Sequence, residues 1–271
     1  MSFIKFWQEF FRITTDLRGN YIIYLATIAP IVTVLTFFCG IYFGIKFKKK
    51  SEKDRNKLVL ITSIVCWGFE IIYILVPLIK GDFIEVRDGR IPLFLCDIQF
   101  FALIAICFGK GKVKEAGMGF VICLGLLAFV MGVWINAGNL FDNNPLWSGT
   151  VIWRIAVHAL PGFIGLFIVC SGMYKLELKK VWYANAIMVP FELAALIVCL
   201  CLPTANYMFF NNPDGTPFKI FYDLVKGNMG AYRFFVILLM NLYVVLFYSG
   251  WELISYLIKK HKNKKLAVKY E

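Results

Sequence analysis

Long apolar runs, nearly free of charge, recur along this chain of 271 residues. Each comes close to the roughly 20 residues that a helix needs to cross about 30 Å of hydrocarbon. Lipid offers no partner to an open backbone N–H or C=O, so a spanning segment is either a helix or part of a closed barrel. None of these runs alternates apolar with polar residues at the period that barrel strands require. The sequence therefore predicts an all-α, polytopic integral membrane helical bundle. Hydrophobic residues make up 60% of the chain and mean hydropathy is +0.71, more apolar surface than a soluble core of this length encloses.

The predicted spans are 21–45, 58–79, 91–108, 118–137, 151–173, 181–202 and 234–258, so that the bundle occupies 21–258. Residues 1–20 mix aromatic and charged side chains, as a helix lying on a membrane surface does. Residues 259–271 form a basic tail. The run from Tyr21 to Ile45 is too long for a signal-peptide core and lacks a small-residue cleavage site before its basic flank, so it reads as a span that stays. Tyr21, Tyr24, Trp147, Trp153, Trp182, Tyr183 and Tyr232 collect near span ends, as an interfacial belt does.

The formal net charge is +12, which in a soluble protein would suggest nucleic acid. Here the lysines sit in short runs between spans, so membrane lipid is the expected partner and nucleic acid is not. Segments 46–57, 109–117, 174–180 and 259–271 hold 7, 3, 3 and 6 Lys plus Arg, whereas 1–20, 80–90, 138–150 and 203–233 hold 3, 3, 0 and 3. The more basic set is expected to be cytoplasmic. That places the amino end outside the cell membrane and the tail inside, and seven spans preserve the alternation. A six-span arrangement requires the first or last segment not to cross.

All eight cysteines lie in apolar segments and none forms a CxxC pair, which argues against a disulfide framework or a thiolate metal site. Most are expected to be small buried hydrophobes. No metal or cofactor motif is present, and no GxSxG, HExxH, P-loop or GxGxxG pattern offers a familiar chemistry.

Ionisable residues within spans are the exceptions that carry information, because each costs several kcal/mol in hydrocarbon unless paired or hydrated. They are Glu70, Asp97, Arg154, His158, Glu192 and Glu252. At a helical rise of about 1.5 Å per residue, Arg154 lies roughly 5 Å inside the outer boundary, Cys96 and Asp97 roughly 7–9 Å, and His158 roughly 10 Å. Gln99 and Glu70 follow at roughly 12–14 Å and Glu192 at roughly 15 Å, with Asn136 and Asn206 at outer span ends. The polar groups thus share the outer half, and the inner half is bare by comparison. A transporter or channel needs polar groups through both halves, so a one-sided pocket for a lipid or small molecule is expected instead. The bland alternative is an internal ion pair, Arg154 with Asp97 or Glu70, that holds helices together.

Arg154 and His158 are four residues apart and share a helix face, with Pro161 expected to kink the span one turn later. His158 is the only histidine within a span; His261 lies in the basic tail. Cys96 and His158 can be read as nucleophile and base, with Arg154 supplying a positive field and Asp97 or Glu70 orienting the imidazole. The alternative is a histidine hydrogen-bonded between helices.

The segments IPLFLCDIQFF (91–101), VHALPGF (157–163) and NYMFFNNPDGTPF (206–218) resemble the YwaF family of bacterial integral membrane proteins, and the likeness covers nearly the whole chain. Pro92, Leu93, Leu95, Cys96, Asp97, His158, Asn206 and Tyr207 match its motif positions. That family is related to transmembrane protein 164, which is similar to lipid acyltransferases with a cysteine nucleophile. The resemblance implies acyl transfer or ester hydrolysis on membrane lipid, with Asn206 or Tyr207 donating hydrogen bonds to the reacting carbonyl. The chain departs from the family at Phe94, where many members carry histidine. Two further readings stay open: a non-catalytic binder of lipid or a small molecule, and a proton-coupled transporter using Glu70, Asp97 and Glu192.

Overall fold

A computed structural model describes residues 23–135, 149–214 and 216–270, and all its regular structure within them is helical. The helices are α1 (Tyr24–Phe47), α2 (Glu52–Ile79), α3 (Phe83–Gly89), α4 (Ile98–Phe108), α5 (Lys112–Ile135), α6 (Gly149–Ser171), α7 (Val181–Cys201), α8 (Lys219–Leu224) and α9 (Met229–Tyr270). Six of them (α1, α2, α5, α6, α7 and α9) are long and apolar enough to cross a membrane. The surface segment expected over 1–20, together with Asn136 and Trp147, lies outside the described residues.

The segment expected as the third span differs from the prediction. A continuous helix over 91–108 is replaced by a non-helical stretch, Ile91–Asp97, followed by the 11 residues of α4. At about 1.5 Å per residue α4 covers only about 16 Å, half the hydrocarbon thickness. The depths reckoned for Cys96 and Asp97 from continuous helical rise therefore do not apply. Backbone that is not helical is tolerated at such depth only where protein encloses it. Asp97 at the end of the stretch is buried, as are Ile98, Gln99, Phe100, Ala102, Leu103 and Ile106 of α4, while Ile91 at its start is exposed.

α5 is the hub. It packs against α4, α6 and α7, and α6 in turn packs against α1 and α2. Small residues permit these close approaches. A Cβ on Gly125 of α5 would meet the Pro161 carbonyl oxygen of α6 at 2.9 Å, and one on Gly165 would meet the Val121 oxygen at 3.0 Å. Gly40 and Gly44 of α1, one turn apart, face Leu166 and Cys170 in the same way, at 2.7 and 2.4 Å. This is the small-residue packing that membrane helices use when lipid removes the hydrophobic drive to associate. The outward faces of α1, α2, α7 and α9 carry Phe38, Ile72, Ile197 and Leu246, all exposed.

Polar contacts sort the loops into two ends. Lys114 pairs with Glu52 at 2.6 Å, Lys180 with Glu115 at 2.8 Å, and Arg55 donates to the Ser171 carbonyl at 2.9 Å. The Leu178 N–H donates to Glu252 at 3.2 Å. These contacts gather segments 46–57, 109–117 and 174–180 at one basic end. The tail expected from residue 259 continues α9 as helix to Tyr270.

At the opposite end the connection 80–97 is clasped to 203–218. The Tyr207 hydroxyl donates to the Arg87 carbonyl at 2.8 Å and accepts from the Ile91 N–H at 3.1 Å. Phe94 packs on the rings of Tyr207 and Phe209. The 203–218 segment is itself held by asparagines. Asn206 accepts from the N–H groups of Asn211 and Asn212 at 3.0 and 2.8 Å, and Asn211 donates to the carbonyls of Cys199 and Ala205 at 2.7 and 2.8 Å. These bonds hold Met208 and Phe209 at φ of 51° and 62°, a left-handed backbone that side chains with a Cβ rarely adopt.

Candidate functional site

The non-helical stretch before α4 is built around Asp97. Its carboxylate accepts from the Phe94 N–H at 3.1 Å while its own N–H donates to the Phe94 carbonyl at 2.9 Å, a backbone turn that the side chain closes from the other side. Asp97 is buried, and its second oxygen accepts from the Cys96 thiol at 3.4 Å. Glu70 of α2, also buried, lies within electrostatic range of Asp97, Cys96 and Arg90. Arg154 of α6 lies within the same range of Cys96, Arg90 and His158.

Aromatic stacking brings the elements together. The Arg90 guanidinium sits 3.5 Å from the centre of the Tyr73 ring, and that ring stacks on Trp153 with centroids 3.6 Å apart and planes 9° from parallel. Tyr73 lies one turn beyond Glu70 on α2, and Trp153 directly precedes Arg154 on α6, so the stack ties the two helices to the 80–97 connection. Arg90 also pairs with Glu85. Burial, and then the charge of Arg154, pull the Arg90 pKa down to about 10, so it remains a cation at neutral pH.

His158 occupies the next turn of α6. Its Nδ1 lies 2.6 Å from the Arg154 carbonyl oxygen. A carbonyl only accepts, so Nδ1 carries the hydrogen and neutral His158 presents Nε2 as an acceptor. The ring packs against Gly132, where α5 widens into a π-helical turn over Met131–Ile135, a local geometry frequent at functional sites. The Cys96 thiol hydrogen-bonds to Asp97 and not to the His158 ring, and the Asp97 and Glu70 carboxylates and the Arg154 cation all lie in electrostatic range of it.

The predicted residues thus fall into separate groups. Glu70, Cys96, Asp97, Arg154 and His158 share one neighbourhood. Gln99, two residues into the same segment, is fully buried, and neither its amide oxygen nor its nitrogen has a partner among the described residues. Glu192 belongs elsewhere: it lies between α7 and α9 and accepts from Asn241 at 2.8 Å. Asn206 and Tyr207 spend their polar groups on the clasp, and burial raises the Tyr207 phenol to about 12. Asn136 lies outside the described residues. Two participants escaped sequence reasoning, Arg90 and Tyr73. Arg90 counts in sequence only as a loop charge, and its position directly before the IPLFLCD element was the available signal.

Fold and site together define a multi-pass helical membrane protein with a buried polar cluster at one end of its bundle. The chain belongs to the TMEM164 family, whose model matches residues 19–251, the relationship to transmembrane protein 164 expected from the sequence. No curated protein and no solved structure matches the chain.

Proposed function

We propose that this protein acts in the cell membrane on the ester bonds of membrane lipids, passing an acyl group through Cys96. The observation that carries the reading is the Cys96 thiol donating to buried Asp97, with Arg154 in electrostatic range of the sulfur. A thiol reacts as its thiolate, and because the Asp97 and Glu70 carboxylates lie in electrostatic range of the sulfur as well as Arg154, the proton must leave as the sulfur attacks. Asp97 takes the thiol proton and Cys96 sulfur attacks the ester carbonyl. The C–O bond breaks, and the leaving alkoxide collects the proton from Asp97, so that a lysolipid departs and a thioester remains. An alcohol or water then attacks the thioester, losing its proton to the acceptor nitrogen of His158, which returns it to the departing sulfur.

Family membership supports this reading, as does the burial of Asp97 at the end of the non-helical stretch. In the same scheme α4 and its entry stretch complete a seventh passage, and the basic end faces the cytoplasm. The test is incubation of the purified protein with a phospholipid bearing a labelled acyl chain, followed by intact mass and hydroxylamine treatment. A hydroxylamine-labile acyl adduct present in the wild type and lost in Cys96→Ser is the expected result.

A second reading, a non-catalytic lipid binder, is favoured by Phe94 in place of the family histidine and by a thiol bonded to carboxylate rather than imidazole. It predicts no adduct, together with lipid binding unchanged in Cys96→Ser.

A further inference from the structure

Glu192 stands near the middle of the 21 residues of α7 and accepts from Asn241 of α9 at 2.8 Å. It is 1% exposed, and its second oxygen, Oε1, has no partner among the described residues. The Asn241 amide has no N–H to spare, because it also donates to the Ile237 carbonyl at 2.9 Å. No counter-charge accompanies the carboxyl. α4 carries none over Ile98–Phe108, and α5 keeps Lys112, Lys114 and Glu115 at the basic end. On α9 the nearest charges are Arg233, bonded to Phe210 and Asn211, and Glu252, bonded to the Leu178 N–H. The titratable side chains along these spans, Cys107, Cys123, Tyr232, Tyr243 and Tyr248, are thiols and phenols. A carboxylate held in hydrocarbon without a counter-charge costs several kcal/mol. Among the described residues no group of His, Cys, Asp and Glu is assembled to hold a metal ion, so the ligand that suits this lone carboxyl is a proton.

The seam between α7 and α9 is polar from Glu192 to the basic end. Two turns back along α7, about 10 Å, Asn185 is buried with its Oδ1 unpartnered. The two helices are antiparallel, since Glu192 meets Asn241 while Leu178 meets Glu252. Asn185 therefore stands level with Tyr248 of α9. The Tyr248 hydroxyl lies 3.5 Å from that of Tyr174. Lys180 lies over the Tyr174 ring and pairs with Glu115 at 2.8 Å. Toward the outer end the buried positions turn apolar, with Ala195 on α7 and Val236 on α9. We infer that Glu192 is a proton-binding site fed from the basic end along Tyr174, Tyr248 and Asn185. A proton entering beside Lys180 and Glu115 adds to the carboxylate at Oε1 and leaves by the same route, so that the half of the bundle expected to be bare carries a one-sided path.

The test is pH-difference infrared spectroscopy on the full-length protein in nanodiscs. It reads the C=O bands of protonated carboxyl groups between about pH 4 and about pH 9, the range of ordinary and buried carboxyls. Glu192→Gln keeps an oxygen for Asn241, so it should unfold at the wild-type temperature while one titrating band disappears. After a pH jump, Asn185→Leu should reach the wild-type endpoint about tenfold more slowly, because a hydrocarbon gap raises the barrier to proton transfer. Tyr248→Phe keeps the ring and removes only the hydroxyl; it should slow the response too, and it serves if Asn185→Leu does not fold. Val236→Ala, at the apolar outer end, should respond at the wild-type rate. Identical titrating bands in wild type and Glu192→Gln, or wild-type rates in the seam variants, overturn the inference, as does equal slowing in Val236→Ala.

Discussion

Gly132 and His158 are in such close apposition that a Cβ added to the glycine would fall 2.0 Å from the histidine Cδ2. The imidazole is thus wedged between its own helix, through the Arg154 carbonyl, and the π-helical turn of α5. Gly132→Ala should displace the ring or spread α5 from α6, at a cost of about 1–3 kcal/mol for overpacking. Gly68→Ala is the control, because nothing lies within 4 Å of its added Cβ. Thermal unfolding in detergent should show a lowered midpoint for the first and an unchanged or raised midpoint for the second.

Asp97 has two tasks that substitution can separate. Asp97→Asn keeps an oxygen for the Phe94 N–H but cannot take the Cys96 proton. It should unfold near the wild-type temperature and form no acyl adduct. Asp97→Ala loses both tasks and should cost about 1–3 kcal/mol, since it strands a buried donor. Adduct formation by Asp97→Asn at the wild-type rate would remove Asp97 as proton acceptor.

Asn211 is the densest node of the outer clasp, donating to two carbonyls and accepting from Arg233 at 2.6 Å. Asn211→Ala should free the 203–218 segment for proteolysis while leaving the basic end resistant. Cleavage confined to that segment, mapped by mass spectrometry, is the expected pattern.

Tyr207 makes the clasp sensitive to alkali. Its phenol is raised by burial from an ordinary 10 to about 12, so the neutral form is the one the fold stabilises. The contribution is complete below pH 10 and is lost as pH rises from 10 to about 12. Tyr207→Phe should therefore be less stable than wild type at pH 8, and the gap should narrow above pH 10. A gap that stays constant across that range would show that the hydroxyl does not titrate with the clasp.

Much of the fold was legible because a bilayer simplifies the reading: length, hydropathy and charge alone mark segments such as Glu52–Ile79 and Leu178–Cys201 as crossing helices. The 91–108 segment was expected as one continuous helix because it is apolar throughout, whereas helix begins only at Ile98. Reciprocal bonds between Phe94 and Asp97 delay the helix, and hydropathy does not register them. At the site, Glu70, Cys96, Asp97, Arg154 and His158 were nominated for being polar in the wrong solvent. Glu192 was nominated on the same ground, yet it faces Asn241 instead, since burial depth says nothing of which helix a side chain turns toward.

The sequence by itself determined that this chain must be a helical membrane protein, because an unpaired backbone cannot persist in hydrocarbon and nothing else hides so much apolar surface. It also determined which ionisable groups are costly to bury. Only the tertiary structure decided their company. It stacked Arg90 on Tyr73 and Tyr73 on Trp153, turned the Cys96 thiol to Asp97 rather than His158, and spent Tyr207 on a clasp between loops. Those outcomes depend on rotation and close approach between helices distant in the chain, set by glycines such as Gly125 and Gly132 whose neighbours appear only once α5 and α6 have packed.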